Sequence, residues 1–309
     1  MPTVKFVATH SKGDGMPESV QETVRAHLDH GRACLDKGKY DDAIADYDKA
    51  IALDPNVALA YTNRGGAYYR KGAFDRAIAD HSRAIALDPK YALAYTNRGL
   101  AHKKNGEVDR AVADYDKAIA LNPNDATAYT NRGAAYGSKG AFDWAIADHS
   151  RAIGLDPNFA AAYTMRGLAY GSKGEVDRAI ADYTKAIALD PNFAAAYTIR
   201  GHAYGSKGEV DLAIACYDKA IALDPNVALA YTNRGVAYGT KGAFDRAIAD
   251  YTKAIALDRK YTLAYTIRAL AYESNGEVDR AIADFSKVLE IDSSDENAKN
   301  NLKRLGAWA

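Results

Sequence analysis

Two cysteines in 309 residues, Cys34 and Cys216, are too few and too far apart to form a disulfide framework. Free thiols of this kind fit a reducing compartment. Neither sign of charge is in excess, with 40 Lys and Arg against 40 Asp and Glu. No basic stripe recurs on one helix face, so a nucleic-acid surface is not expected. The chain has no apolar run of about 18 residues, so no membrane-spanning helix is expected either. The opening residues, MPTVKFVATHSKGDGM, lack an apolar signal-peptide core, and a cytoplasmic location is the default. A glycine-rich phosphate loop, a nucleophile elbow and a paired metal motif are all missing. The reading is therefore of a protein that is not an enzyme and carries no cofactor.

What the chain does have is a 34-residue period, repeated eight times between Val24 and Asp295. Gly38, Gly72, Gly106, Gly140, Gly174, Gly208, Gly242 and Gly276 fall in one column, and Asp41, Asp75, Asp109, Asp143, Asp177, Asp211, Asp245 and Asp279 in another. A fixed period of this size marks a solenoid rather than one globular domain.

The second repeat, residues 58–91, shows what each unit does. Tyr61, Gly65 and Tyr68 share one helical face. Gly72 ends that helix, because glycine takes the left-handed conformation without a Cβ clash. Asp75 follows, where a carboxylate can accept from free backbone N–H groups and oppose the helix dipole. Ala77, His81 and Ala84 form the stripe of a second helix, with Ile78, Ile85 and Leu87 beside it. Asp88-Pro89 closes the unit. Each repeat is thus a pair of helices of roughly 12–14 residues, marginal alone. Each must bury its stripe against its neighbour, with roughly 1.5–3 kcal/mol from each fully buried Ile or Leu. The column from Ala43 and Ala77 to Ala281 lets the paired helices approach closely.

This pattern resembles the tetratricopeptide repeat: an aromatic, Gly and Tyr on the first helix, Ala and an aromatic on the second, then Pro. The resemblance covers residues 24–295 as eight repeats, 24–57, 58–91, 92–125, 126–159, 160–193, 194–227, 228–261 and 262–295. It implies an all-α, right-handed superhelical solenoid of antiparallel helix pairs. It also implies a concave groove, lined by the first helices, that binds a protein or peptide.

One departure is consistent. The family usually has leucine where this chain has Arg64, Arg98, Arg132, Arg166, Arg200, Arg234 and Arg268. A guanidinium facing a partner helix needs an anion. The spacing predicts pairing with Asp80 and its equivalents within the repeat. A rival is the same-helix pair Arg76–Asp80. In the sixth repeat Leu212 and Cys216 replace both members of that rival pair, leaving Arg200 in need of another partner.

The resemblance also implies where function sits. Asn63, Asn97, Asn131 and Asn233 occupy a position that faces the groove in the family. An amide there can donate to and accept from an extended peptide backbone, as in the asparagine ladder of the O-linked N-acetylglucosamine transferases. Thr62, Thr96 and Thr130 are expected beside them, with their equivalents Thr164, Thr198, Thr232 and Thr266. Met165, Ile199 and Ile267 turn the same column apolar toward the C-terminal half. Lys103 and Lys104 add local positive charge, His202 a polar lining, and Gly137, Gly171, Gly205 and Gly239 keep the groove open. The clamp for acidic chaperone tails is not expected, because its positions carry Thr, Leu and Ala. An exposed Trp144, with its counterpart Leu212, suggests a contact surface. The alternative to peptide binding is a structural module that self-associates into a homo-oligomer through such surfaces or its ends.

His27, His30 and Cys34 share a helix face at i, i+3 and i+7, a set that would suit zinc. They stand where other repeats place Tyr, Arg and Tyr, so a variant terminal repeat is the reading preferred, with no metal. Residues 1–16 read as a loose tail; its apolar segment Val4–Ala8 could alternatively dock as an extended strand. At the other end, Ser293 and Glu296 have capping-box spacing, and Ala298, Leu302 and Leu305 form a stripe ended by Gly306. Residues 296–309 are therefore read as a capping helix and tail, with Trp308 helping to cover the last repeat. Repeats five and six differ at six positions, and the turn alternates between GAFD and GEVD, which suggests growth by duplication of blocks.

Overall fold

In the computed structural model, which describes residues 17–308, each predicted hairpin is present. The chain divides into two units at Asn158 and Phe159. The first holds α1 (Glu18–Asp36), α2 (Tyr40–Leu53), α3 (Ala58–Arg70), α4 (Phe74–Leu87), α5 (Ala92–Lys104), α6 (Val108–Leu121), α7 (Ala126–Ser138) and α8 (Phe142–Leu155). The second holds α9 (Ala160–Ser172), α10 (Val176–Leu189), α11 (Ala194–Ser206), α12 (Val210–Leu223), α13 (Ala228–Thr240), α14 (Phe244–Leu257), α15 (Thr262–Ser274), α16 (Val278–Ile291) and α17 (Glu296–Arg304). No strand occurs among the described residues. Within each unit, odd and even helices pair, and each pair stacks on the next. The segment Val4–Ala8 lies outside the described residues.

The turn inside each hairpin follows from one glycine. Gly72 has φ +79°. Its N–H reaches Tyr69 O at 3.0 Å, and Ala73 N–H reaches Tyr68 O at 2.9 Å. This is the Schellman arrangement, which satisfies carbonyls that the helix end would leave free. The turn between hairpins uses a different device. Asp88 is extended, with φ −134° and ψ 92°, and its carboxylate accepts from Lys90 N–H at 2.9 Å.

Asp75 does not cap its helix as expected. Ala73 is the N-cap and makes no side-chain cap bond. Asp75 lies inside the first turn, where its charge still opposes the dipole. Its column faces outward and links neighbouring hairpins instead. Asn105 Nδ2 donates to Asp75 at 3.2 Å, Lys139 to Asp109 at 2.5 Å and Lys207 to Asp177 at 2.7 Å. These links are exposed and screened by solvent, so each stabilises little.

A close approach at a second glycine sets the core. A Cβ on Gly65 would stand 2.7 Å from the His81 ring, and one on Gly99 would stand 2.7 Å from the Tyr115 ring. Each second helix therefore lays a flat ring onto bare backbone. Tyr47, His81, Tyr115 and Phe285 are fully buried there, beside alanines such as Ala43, Ala77 and Ala111 that expose nothing. In the last hairpin Ala269 replaces the glycine, and its partner Phe285 lacks the hydroxyl of the tyrosines.

α17 covers the second unit's final hairpin. Ala298 and Leu302 are buried with Phe285 and Val288, and Leu305 packs at the margin. Its cap is Asp295, whose Oδ1 accepts from Ala298 N–H at 2.8 Å, and not Ser293. The helix starts at Glu296, so Ser293 is two residues too far out to cap it. Gly306 ends it at φ +72°. Trp308 is 44% exposed and does not serve as a cover.

Candidate functional site

The arginine column makes the predicted pairs, in bidentate form. Arg64 Nε lies 2.8 Å from Asp80 Oδ2 and Nη2 2.7 Å from Oδ1. The same fork joins Arg98 to Asp114, Arg132 to Asp148, Arg166 to Asp182, Arg234 to Asp250 and Arg268 to Asp284. The aspartates are buried. The Asp80 hydrogen bond, reinforced by Asp48, holds the Arg64 guanidinium firmly protonated against the effect of burial. The rival same-helix pair does not form. Arg76 instead sits over the Tyr68 ring, 5.6 Å from its centre.

The arginine also has a third anchor, on the hairpin before its own. Arg64 Nη1 reaches Asp48 at 2.6 Å, Arg98 reaches Ser82 at 3.1 Å and Arg132 reaches Asp116 at 2.7 Å. Tyr61 lies under the same guanidinium at 5.5 Å. One side chain thus ties together α2, α3 and α4. Spacing within one repeat does not announce this anchor. Its signal is a second 16-residue interval, from Arg64 back to Asp48.

Two repeats depart. Arg200 has Cys216 where the others have aspartate, and it donates to Thr184 Oγ1 at 3.2 Å with Tyr197 and Tyr204 as cation–π partners. Its buried Nε has no acceptor. The loss therefore falls on Arg200, which the sequence of the sixth repeat leaves in need of another partner, and Thr184 supplies only part of one. In the first repeat, imidazoles take over the fork. His27 Nδ1 donates to Asp46 Oδ1 at 3.2 Å, and His30 Nδ1 donates to Oδ2. Burial opposes the Asp46 charge, yet the His30 and His27 hydrogen bonds hold its carboxyl below the usual range. Cys34 Sγ lies 4.0 Å from both nitrogens of His30. Both cysteines are free and buried.

The predicted binding column is more enclosed than expected. Asn63, Asn97 and Asn131 are 3%, 1% and 4% exposed, and Asn233 is half-buried. First helices in the first unit touch, α3 to α5 and α5 to α7. Several amide atoms are left without a partner: Asn63 Oδ1, both polar atoms of Asn97, and Asn131 Nδ2. The threonines do not line a groove. Thr62, Thr96 and Thr130 are buried, and each hydroxyl donates to the carbonyl four residues back, at 3.0, 3.3 and 2.9 Å. Thr164, Thr198, Thr232 and Thr266 make the same bond. A hydroxyl that folds back on its own helix is the usual alternative to projecting outward.

Lys103 is half-buried on α5, the helix that carries Asn97. Burial, and then the charge of Lys104, push its pKa down. It makes no ion pair among the described residues. Lys104 and His202 are exposed. A Cβ on Gly137 would meet nothing within 4 Å, whereas Gly171, Gly205 and Gly239 have atoms at 3.8–3.9 Å. Trp144 is 67% exposed and Leu212 48%. The Trp144 ring lies 6.0 Å from that of Tyr136. The first helices of the second unit carry a further apolar set that the sequence reading did not single out. Leu229, Val236, Leu263 and Leu270 are 50%, 48%, 51% and 43% exposed. Their seven-residue spacing on α13 and α15 is the signal for it. Among the described residues, no helix is long and apolar enough to cross a membrane.

Comparison with known proteins agrees with this geometry. A family model described as TPR repeat matches residues 31–72, 65–106, 104–140, 167–208 and 201–242. Models described as tetratricopeptide repeat match 126–159, 228–261 and 263–295. No curated protein matches. Among solved structures, the chain is similar to one in the APC/C hetero-tetramer Cut9-Hcn1, at 18% identity and TM-score 0.65, over 94% of this chain and 57% of that one. It is similar to a tetratricopeptide repeat protein from Parabacteroides merdae, at 20% identity and TM-score 0.63, over 81% of this chain and 99% of that one. It is also similar to MamA from Desulfovibrio magneticus, at 22% identity and TM-score 0.51, over 55% and 97% of the respective chains. At these identities the likenesses show the fold. The chain spans a little over half the length of the Cut9-Hcn1 chain it matches.

Proposed function

We propose, from the premise that this chain belongs to the tetratricopeptide repeat family, that it is a non-catalytic scaffold holding an extended segment of a protein partner against the first helices of residues 17–158. Tetratricopeptide repeats generally mediate protein–protein interactions. The observation that carries the finer reading is the row Asn63, Asn97 and Asn131, whose amides keep unpartnered polar atoms in enclosed positions. An unsatisfied buried polar group costs about 1–3 kcal/mol. An amide both donates and accepts. It can therefore turn toward a peptide N–H or C=O and recover that cost on binding. Main-chain reading of this kind gives little sequence selectivity. Lys103 supplies some, because a half-buried ammonium that makes no ion pair among the described residues favours a carboxylate in the ligand.

Peptide-display selection on the wild type and on Asn63/Asn97/Asn131→Ala tests the reading, with circular dichroism to establish that both are folded. Peptides enriched on the wild type and lost on the variant support it. Enrichment that the substitutions leave unchanged overturns it. A second reading, self-association, is favoured by the exposure of Trp144 and Leu212. It expects a mass that rises with concentration in light scattering, and no such rise in Trp144→Arg.

A further inference from the structure

The first repeat keeps the buried aspartate of the series, Asp46, but changes all three residues that surround it. Elsewhere, except in the sixth repeat where Cys216 replaces it, the carboxylate faces an arginine with a tyrosine below it and, in every repeat but the third, a tyrosine above. Here those places hold His30, His27 and Cys34. All three are metal-ligand types, and a terminal position does not call for all of them. A lost arginine explains the two imidazoles, which reproduce the fork on Asp46. It does not explain a thiol in place of a packing ring.

The donor atoms of His30, Cys34 and Asp46 all lie within 4.8 Å of one another. Cys34 Sγ is 4.0 Å from His30 Nδ1. Around zinc, with bonds of roughly 2.0–2.3 Å, tetrahedral neighbours stand roughly 3.3–3.8 Å apart. A contraction of well under 1 Å at the sulfur would close that edge. His30 is a long way open to solvent while Cys34 and Asp46 are buried, so an ion has an entry path and an enclosed floor. One nitrogen, one thiolate and one carboxylate make a donor set suited to zinc.

We propose that His30, Cys34 and Asp46 bind a zinc ion between α1 and α2, and that His27 is a positioning residue that orients the Asp46 carboxylate. Binding converts the Cys34 thiol to a thiolate and releases its proton to solvent; the His30 proton now shared with Asp46 leaves Nδ1 for Nε2, so that Nδ1 and the carboxylate both face the metal, with no change of oxidation state. The site is independent of the peptide-binding reading. It would clip α1 to α2 where the arginine fork of the other repeats is missing.

The test uses the full chain, stripped with a chelator and titrated with cobalt(II), then with zinc. The expected result is a sulfur-to-cobalt charge-transfer band with intense visible bands of four-coordinate cobalt. Zinc should abolish both and raise the unfolding temperature. Cys34→Ser should lose the charge-transfer band, whereas Cys216→Ser should keep it. His30→Arg rebuilds the arginine fork of the other repeats, so it should fold and yet give no bands and no zinc-dependent shift. His27→Gln should weaken zinc about 10–100-fold, as outer partners of ligands do. Absence of the charge-transfer band in the wild type, or its persistence in Cys34→Ser or His30→Arg, overturns the proposal.

Discussion

Residues 17–158 and residues 159–308 repeat the same hairpin but differ at two of its inward places. Against the bare glycine, the first unit sets Tyr47, His81, Tyr115 and His149, and the second sets Tyr183, Tyr217 and Tyr251, with Phe285 facing Ala269 in the last hairpin. In the ladder column the first has Asn63, Asn97 and Asn131, where the second has Met165, Ile199, Asn233 and Ile267. The second also exposes Leu229, Val236, Leu263 and Leu270. The hairpin therefore needs a flat ring of about one size facing glycine, and tolerates imidazole, phenol or phenyl. What varies is how polar the inward groups are. The first unit encloses polar groups without full satisfaction, and the second carries apolar ones that reach the surface. Differences in pH response and ligand chemistry should follow that line.

The largest effect should come from what the units share. Asp80→Ala would leave Arg64, 19% exposed at its side chain, without its fork. Breaking a buried pair costs about 3–5 kcal/mol, and Asp250→Ala should match it in the second unit. Urea unfolding with hydrogen exchange resolved to each unit would measure both. Effects below about 1 kcal/mol would mean that the pairs behave as surface bridges.

Acid should separate the units next. Burial, with Arg98 nearby, lowers the His81 pKa from 6.5 to about 3. Between those values the unfolded chain binds a proton that the folded chain refuses. Stability from this group is thus full above pH 6.5 and falls by about 1.4 kcal/mol for each unit of acidification below it. Hydrogen exchange at pH 7 and pH 5 should show residues 17–158 loosening more. His81→Tyr, which copies Tyr115, should remove that part of the slope. An unchanged slope would mean that His81 is protonated in the fold.

The hairpins, the glycine turns and the arginine pairs were legible in the sequence because they depend on intervals within one repeat: Gly65 to Tyr68, or Arg64 to Asp80. The depth of the asparagines was not, because enclosure of Asn97 depends on how closely α3, α5 and α7 approach, which no single repeat encodes. The threonines misled for a local reason. Thr62 has a rotamer that satisfies its hydroxyl on its own helix. Asp75 misled by two residues, since an aspartate just inside a helix and one just before it look alike in a string. The candidate site was thus legible in its column and charge, and illegible in its accessibility.

A gain should follow from making the second unit more regular. Cys216→Asp would give Arg200 the fork that Arg166 and Arg234 already have. Hydrogen bonds to charged groups contribute about 1.5–3 kcal/mol, and burial of the carboxylate offsets part of that. The expected outcome is a stabilisation of about 1 kcal/mol, seen as a higher urea midpoint, with slower exchange in α11 and α12. A loss would mean that the cysteine is packed for its own sake.

The smallest effect should come from carrying a feature of the second unit into the first. The Tyr115 hydroxyl is fully buried with no partner, and burial raises its pKa well above that of free tyrosine. Phe285 fills the same place in the last hairpin without that hydroxyl and is equally buried. Removing an unsatisfied buried group while keeping the ring is near neutral or stabilising. Tyr115→Phe should therefore change stability by less than about 1 kcal/mol, in the stabilising direction, by thermal unfolding at pH 7. A clear destabilisation would reveal a partner for the hydroxyl, such as bound water, and would make the first unit's polar interior better satisfied than its geometry implies. The unpartnered amides of Asn63, Asn97 and Asn131 would then need the same reappraisal, because the case for peptide capture rests on the same kind of orphaned atom.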